Sequence, residues 1–209
     1  MPRRAGSWSG ALPKCYRPSN LLLDNMTRFF DVLFSTIGIV LLSPLMALIV
    51  LIGLFDTGSP FFCQQRMGKD RHPFWLIKFR TMHVDTQSVP THLVRVDSIT
   101  RFGKFLRSSK LDELPQLFNV LQGSMSLVGP RPNLLTQELL IKERSNRHVY
   151  SVRPGITGLA QIKKIDMSVP ERLAETDEKM ISSFSVASYF RYIILTVFGK
   201  GFGDRVKPN

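Results

Sequence analysis

The sequence is short of cysteine, histidine and acidic residues, and each shortage closes a class of function. Its two cysteines, Cys15 and Cys63, form no Cys-x-x-Cys pair and have no histidine at metal-ligand spacing. Neither a structural zinc site nor a disulfide framework is therefore expected, and free thiols suit a cytoplasmic face. The four histidines (His72, His83, His92, His148) are scattered. Asp and Glu number 16 against 28 Lys and Arg, a formal net charge of +12 in 209 residues. That excess favours polyanions: nucleic acid, anionic lipid headgroups or phosphorylated substrates. A Gly-rich Walker loop is missing, which excludes a P-loop nucleotidase, and so is a Gly-x-Ser-x-Gly elbow. Basic residues interleave with aromatics at Phe102–Phe105, but no helix-turn-helix or RNP-like pattern goes with them. No nucleic-acid partner is expected.

One stretch lacks charge altogether. From Val32 to Phe55 there is no Asp, Glu, Lys, Arg or His. A helix of that length is about 36 Å long at ~1.5 Å per residue, enough to cross a hydrocarbon layer of ~30 Å. The run is too long for a signal-peptide core. Ser43-Pro44 falls near its middle. Pro44 has no N–H to offer the carbonyl of Val40, and its ring bends the helix. An orphan carbonyl in hydrocarbon costs several kcal/mol unless a neighbour such as the Ser43 hydroxyl serves it. Arg3, Arg4, Lys14, Arg17 and Arg28 precede the run, and Arg66, Lys69 and Arg71 follow it. The positive-inside rule then places both flanks in the cytoplasm. A helix that breaks at Ser43-Pro44 and leaves by the face it entered satisfies both flanks. An ordinary kinked spanning helix competes with it, and the residues alone leave the two even.

Three regions follow: a basic arm over 1–27, rich in Pro, Gly and Ser, a membrane helix over 28–55, and a domain over 56–209. In the domain, Ser59–Arg66 and Pro73–Phe79 read as strands of a hairpin turning at Met67-Gly68-Lys69-Asp70. Residues 83–98 show no period. Leu111, Leu114, Leu117, Phe118 and Leu121 recur at helical spacing, with Gly123 as the stop. Glu138–Arg147 reads as a charged, exposed helix. Met180–Phe198 reads as one amphipathic, aromatic helix that suits either a core or a lipid interface. The class is α+β, helix-rich.

The chemistry concentrates around Asp112 and Glu113, in Lys110-Leu111-Asp112-Glu113-Leu114-Pro115. Pro115 is tolerated only in the first turn of a helix, so the pair sits at a helix start, with Asp112 at or near the N-cap. Acidic residues there are common caps. What sets this pair apart is its surroundings: Lys104, Arg107 and Lys110 upstream, Gly129-Pro130-Arg131-Pro132 and Arg153-Pro154-Gly155 downstream, and Lys78-Phe79-Arg80 at the end of the hairpin. Carboxylates amid such cations suggest a phosphate site. Arginine forks would hold non-bridging oxygens, and a carboxylate would bind Mg²⁺ or attack phosphorus.

These blocks together resemble the bacterial sugar transferase family, the monotopic phosphoglycosyl transferases that act on polyprenyl phosphate. The resemblance runs from about Arg28 to Val206. It includes Ser43-Pro44, Gln65-Arg66-Met67-Gly68, Lys78-Phe79-Arg80-Thr81-Met82, Leu111–Leu117, Asn119-Val120-Leu121, Met125–Pro132 and Arg153–Gln161. The chain looks like the minimal catalytic form. The resemblance implies a re-entrant helix broken at Ser43 and Pro44, amphipathic helices in the lipid interface, and an active site on the cytoplasmic face of a bacterial inner membrane. It implies Asp112 as the nucleophile toward the β-phosphate of a UDP-sugar, releasing UMP, and Glu113 as the Mg²⁺ ligand. Lys78, Arg80, Arg107 and Arg131 match basic positions around the dyad, and Arg153 matches more weakly. The implied partners are a UDP-sugar, polyprenyl (undecaprenyl) phosphate and membrane lipids, in the initiation of polysaccharide biosynthesis (capsule, exopolysaccharide or O-antigen). Oligomeric state, a homo-oligomer included, is left open, as is the sugar. Ser124 stands where the family usually has Asp, and Met180 where it usually has Tyr, three residues after Asp177. Two other readings remain: a non-enzymatic basic module tethered to the membrane, and a glycosyl transferase that moves the sugar alone and releases UDP.

Overall fold

A computed structural model describes residues 21–84, 86 and 98–200. Residues 1–20 of the expected arm, with Cys15, lie outside that set, as do residues 201–209 and most of 83–98.

The charge-free run lies within one helix of 37 residues, α1 (Leu21–Thr57), which also takes in residues 21–27 of the expected arm. The expected break at Ser43-Pro44 is not a loss of helical conformation, because the helix continues through both residues. The reason is local. Ser43 Oγ donates to the carbonyl of Val40 at 2.9 Å, the group that Pro44 leaves without an N–H. One stripe of α1 turns inward at three- and four-residue spacing: Thr27, Asp31 and Ser35 in the first half, Met46, Ile49 and Gly53 in the second. Phe29, Val40, Leu41 and Phe55 point outward, Phe55 being 86% exposed. The first half is therefore inverted relative to a soluble helix, with polar residues against protein and apolar ones outside. Both ends of α1 bond the same body. Asp24 pairs with Lys69 at 3.9 Å, Arg28 donates to the carbonyls of Val120 and Leu121, and Asp56 accepts from Thr100 Oγ1 at 2.7 Å.

Strands β1 (Phe61–Met67) and β2 (Pro73–Phe79) form the expected antiparallel hairpin, with Phe61 opposite Phe79 and Met67 opposite Pro73. Then come α2 (Arg101–Ser109), a 3₁₀ turn at Leu111–Glu113, α3 (Gln116–Gln122) and β3 (Ser126–Val128). After them run α4 (Glu138–Asn146), β4 (Gly155–Thr157), α5 (Leu159–Ile162), α6 (Pro170–Ser182), α7 (Val186–Leu195) and a π-helical turn at Thr196–Lys200. Strands β3 and β4 pair in parallel, a contact that spacing did not foretell. The class is helix-rich α+β, as expected.

The single helix expected over Met180–Phe198 is two helices. Ser185 ends the first arrangement: its side chain accepts the Ser188 N–H, and the Ser188 side chain accepts the Ser185 N–H, a capping box that starts α7 afresh. Tyr189 of α7 is fully buried and donates to Asp31 Oδ1 at 2.8 Å. The same oxygen accepts from Ser126 Oγ and from the Leu127 N–H, so α1, β3 and α7 meet on one carboxylate. Burial and the Asp31 charge push the Tyr189 hydroxyl well above the usual tyrosine range, which keeps it a donor.

Candidate active site

The dyad does not cap α3. Lys110 adopts a left-handed conformation (φ 60°) that ends α2, and the chain turns at once into the 3₁₀ turn carrying Asp112 and Glu113. Pro115, and not Asp112, is the cap residue of α3. Both carboxylates are buried, Asp112 to 4% and Glu113 to 8% exposure. Acidic side chains are seldom fully buried unless paired, so burial here calls for counter-charges.

Two cations converge on Glu113. Arg131 Nη2 lies 2.7 Å from Glu113 Oε1, and Lys78 Nζ lies 3.5 Å from the same oxygen. Lys78 is itself buried, on the strand face it shares with Leu76. Its reach depends on Asn119 of α3, whose side chain pairs with the open edge of β2: Oδ1 accepts the Ile77 N–H at 3.0 Å and Nδ2 donates to the Trp75 carbonyl at 2.7 Å. That clamp fixes the helix following the dyad against the strand carrying Lys78. Arg107 enters from α2 and donates through Nε to the buried Thr81 Oγ1 at 2.8 Å. A Cβ at Gly103, one turn earlier, would fall 2.1 Å from the Thr81 carbonyl oxygen, so only glycine lets α2 come this close. A buried carboxylate without counter-charge is costly, and for Glu113 Lys78 and Arg131 supply it.

The other two expected cations bond backbone carbonyls. Arg80 donates to the carbonyls of Ser59 and Phe61 and lies over the Phe62 ring, 5.6 Å from its centroid. It fastens the link between α1 and the hairpin. Arg153 donates to the carbonyl of Gly123 at 3.0 Å, beyond the C-terminus of α3, whereas the dyad precedes its N-terminus. A cation at a helix C-terminus satisfies orphan carbonyls and the dipole. Arg28 does the same from α1.

A model of the family described as bacterial sugar transferase matches residues 23–201. The chain belongs to that family. It is 40% identical over 179 residues to the UDP-glucose:undecaprenyl-phosphate glucose-1-phosphate transferase of Xanthomonas campestris pv. campestris, covering 79% of this chain and 37% of that protein. It is 38% identical over 190 residues to the protein of the same name from Escherichia coli K12, covering 86% of this chain and 41% of the relative. The galactosyl transferase CpsE of Streptococcus agalactiae serotype III is 32% identical over 198 residues, covering 88% and 43%. The chain thus spans about two fifths of the length of these curated relatives.

For a bacterial sugar transferase, the donor set decides which metal suits the site. Asp112 and Glu113 supply adjacent hard oxygen donors, and Mg²⁺ is commonly held by one or two carboxylates plus substrate phosphates. Among the described residues no three His, Cys, Asp or Glu side chains group together. The remaining ligands would then come from a diphosphate and water, as Mg²⁺ commonly takes them.

Sequence reasoning missed a buried polar layer behind this site. Arg144, expected on an exposed helix, is 1% exposed and pairs with Asp177 Oδ2 at 2.7 Å. Burial pushes the Asp177 carboxyl above the ordinary carboxylate range, and the Arg144 guanidinium offsets part of that rise. A group raised in this way favours the folded state as pH falls, so Asp177 does not promote acid unfolding. The signal was in the spacing. Arg144 follows the buried Leu140 by four residues, and Asp177 lies between Leu173 and Met180 on the inward stripe of α6. A charge on an apolar stripe asks for a buried partner.

Proposed function

We propose that this bacterial sugar transferase is a phosphoglycosyl transferase that moves a sugar phosphate from a UDP-sugar to undecaprenyl phosphate through a covalent intermediate on Asp112. The observation that carries the reading is the buried Asp112–Glu113 pair whose Glu113 is held by Lys78 and Arg131. In the first step a carboxylate oxygen of Asp112 bonds to the β-phosphorus of the donor. The bond from that phosphorus to the bridging oxygen breaks, and UMP leaves with the electron pair. In the second step a phosphate oxygen of the carrier bonds to the same phosphorus, the P–O bond to Asp112 breaks, and the carboxylate returns. A covalent nucleophile divides one hard displacement into two. Lys78, Arg107 and Arg131 hold non-bridging oxygens and oppose the charge that develops on them. Mg²⁺, held by Glu113, supplies further charge neutralisation when bound.

The membrane reading follows from α1. A straight 37-residue helix is about 55 Å long. Its two ends bond the same catalytic body through Asp24 and Asp56, while apolar side chains cover its outer face. Those anchors support a re-entrant segment with both flanks on the cytoplasmic face of the inner membrane. Exposed Ile194, Val197 and Phe198 extend the apolar surface and suit a helix lying in the lipid interface. Relatives named for UDP-glucose make it the first donor to test.

The test is nucleotide release from a panel of UDP-sugars with undecaprenyl phosphate and Mg²⁺, for wild type and Asp112→Asn. The account expects UMP from the wild type and a loss of at least ~10³-fold in the variant, with folding and membrane association kept. Release of UDP would instead make the protein a transferase of the sugar alone.

A further inference from the structure

We infer that Arg144, seated on Asp177, is a positioning residue that holds the Arg131 backbone where the Arg131 guanidinium meets Glu113. The inference rests on the reading of Arg131 as a phosphate-site cation. Arg144 divides its guanidinium between two jobs. Nε and Nη2 donate to Asp177 Oδ2 at 3.1 and 2.7 Å, which fixes α4 on α6. Nη1 points the other way and donates to the carbonyl of Arg131 at 2.8 Å and to Asn133 Oδ1 at 2.9 Å. Asn133 is fully buried, also accepts from the Tyr150 hydroxyl at 2.9 Å, and sends its own carbonyl to the Met67 N–H at 2.9 Å. The segment carrying Arg131 is therefore tied to the hairpin on one side and to the α4–α6 pair on the other. At its far end, Arg131 Nη2 reaches Glu113.

A simple helix staple would need only the Asp177 half of this arrangement. Apolar residues of similar volume can replace such buried pairs without loss of stability. The Nη1 bonds to the Arg131 segment are what an apolar pair cannot supply. Lysine cannot supply them together with the Asp177 bonds either, because it lacks the planar fork.

The experiment uses the full chain in lipid nanodiscs, as wild type, Arg144→Lys, and the double variant Arg144→Met/Asp177→Leu. The double variant leaves no buried unpaired charge and keeps the test open if the lysine variant folds poorly. Hydrogen exchange of residues 129–134 should speed at least tenfold in both variants, with α3 exchanging as in wild type. Wild-type exchange in that segment would overturn the inference, whatever the protein catalyses. The second arm is a cycle with Arg131→Ala, read as UMP release from UDP-glucose. Arg144→Lys should lower turnover at least tenfold in the wild-type background and leave Arg131→Ala unchanged. Equal losses in both backgrounds would mean that Arg144 does not act through Arg131. A wild type that turns over no UDP-sugar would sink the proposed function and leave the exchange arm to decide this one.

Discussion

Two arginine-proline turns lie back to back in this protein and do opposite work. The first, Gly129-Pro130-Arg131-Pro132, follows β3; the second, Arg153-Pro154-Gly155, leads into β4. Their backbones are bonded directly: Gly155 N–H to the Pro130 carbonyl at 2.9 Å and Ser126 N–H to the Pro154 carbonyl at 2.9 Å. Yet Arg131 meets the carboxylate of Glu113, and Arg153 meets the carbonyl of Gly123 at the other end of α3. One short helix separates an arginine that meets a buried carboxylate from one that meets a backbone carbonyl. Arg-Pro is thus a way of aiming a guanidinium, and the target depends on which end of α3 the turn faces.

If that division is right, the largest effect belongs to Arg131→Ala. Turnover should fall roughly 10²–10³-fold, as when one preorganised donor to a developing charge is removed. The melting temperature should stay near wild type, since Lys78 still faces Glu113. Steady-state nucleotide release with a parallel melting curve reads both. Arg131→Lys should lose about tenfold, because an ammonium keeps the charge and loses the fork. Full activity in that variant would reduce Arg131 to a point charge.

Gly155→Ala attacks the joint between the turns. Its Cβ would fall 2.0 Å from the Gly129 nitrogen, so a backbone must move. A cost of about 1–3 kcal/mol is expected in denaturant unfolding, with an activity loss tracking the disturbance of Arg131. Arg153→Ala should be the mildest. It loses one charged bond to a helix C-terminus, about 1 kcal/mol, and turnover should stay within about threefold of wild type. A loss at Arg153 as large as at Arg131 would erase the comparison.

The same contrast marks how far the sequence could be read. Features set by near neighbours were legible. The long helix follows from the missing charge, the hairpin from its turn, and the Ser43–Val40 bond from what proline removes. The Asp112–Glu113 pair stood out because basic residues flank it in the sequence, at a helix start marked by Pro115. Legibility ended where a side chain reaches across the fold. Arg131 and Arg153 both precede a proline, and only the packing around α3 separates their targets. Arg144 was hidden by the charged residues around it, although its spacing from Leu140 marked it. The start of α7 was masked by the amphipathic pattern around it, in which Ser185 and Ser188 form the capping box.

The central claim is that Asp112 becomes covalently bonded to the phosphate of the sugar. Its most direct test leaves out the carrier. Wild type mixed with UDP-glucose and Mg²⁺ alone should release one equivalent of UMP in a burst, gain the mass of a hexose phosphate, and carry that mass on the peptide containing Asp112. The Asp112→Asn protein should do neither. A wild type that releases no nucleotide until undecaprenyl phosphate is added, and never gains mass, would contradict the covalent route and favour direct transfer between the two substrates.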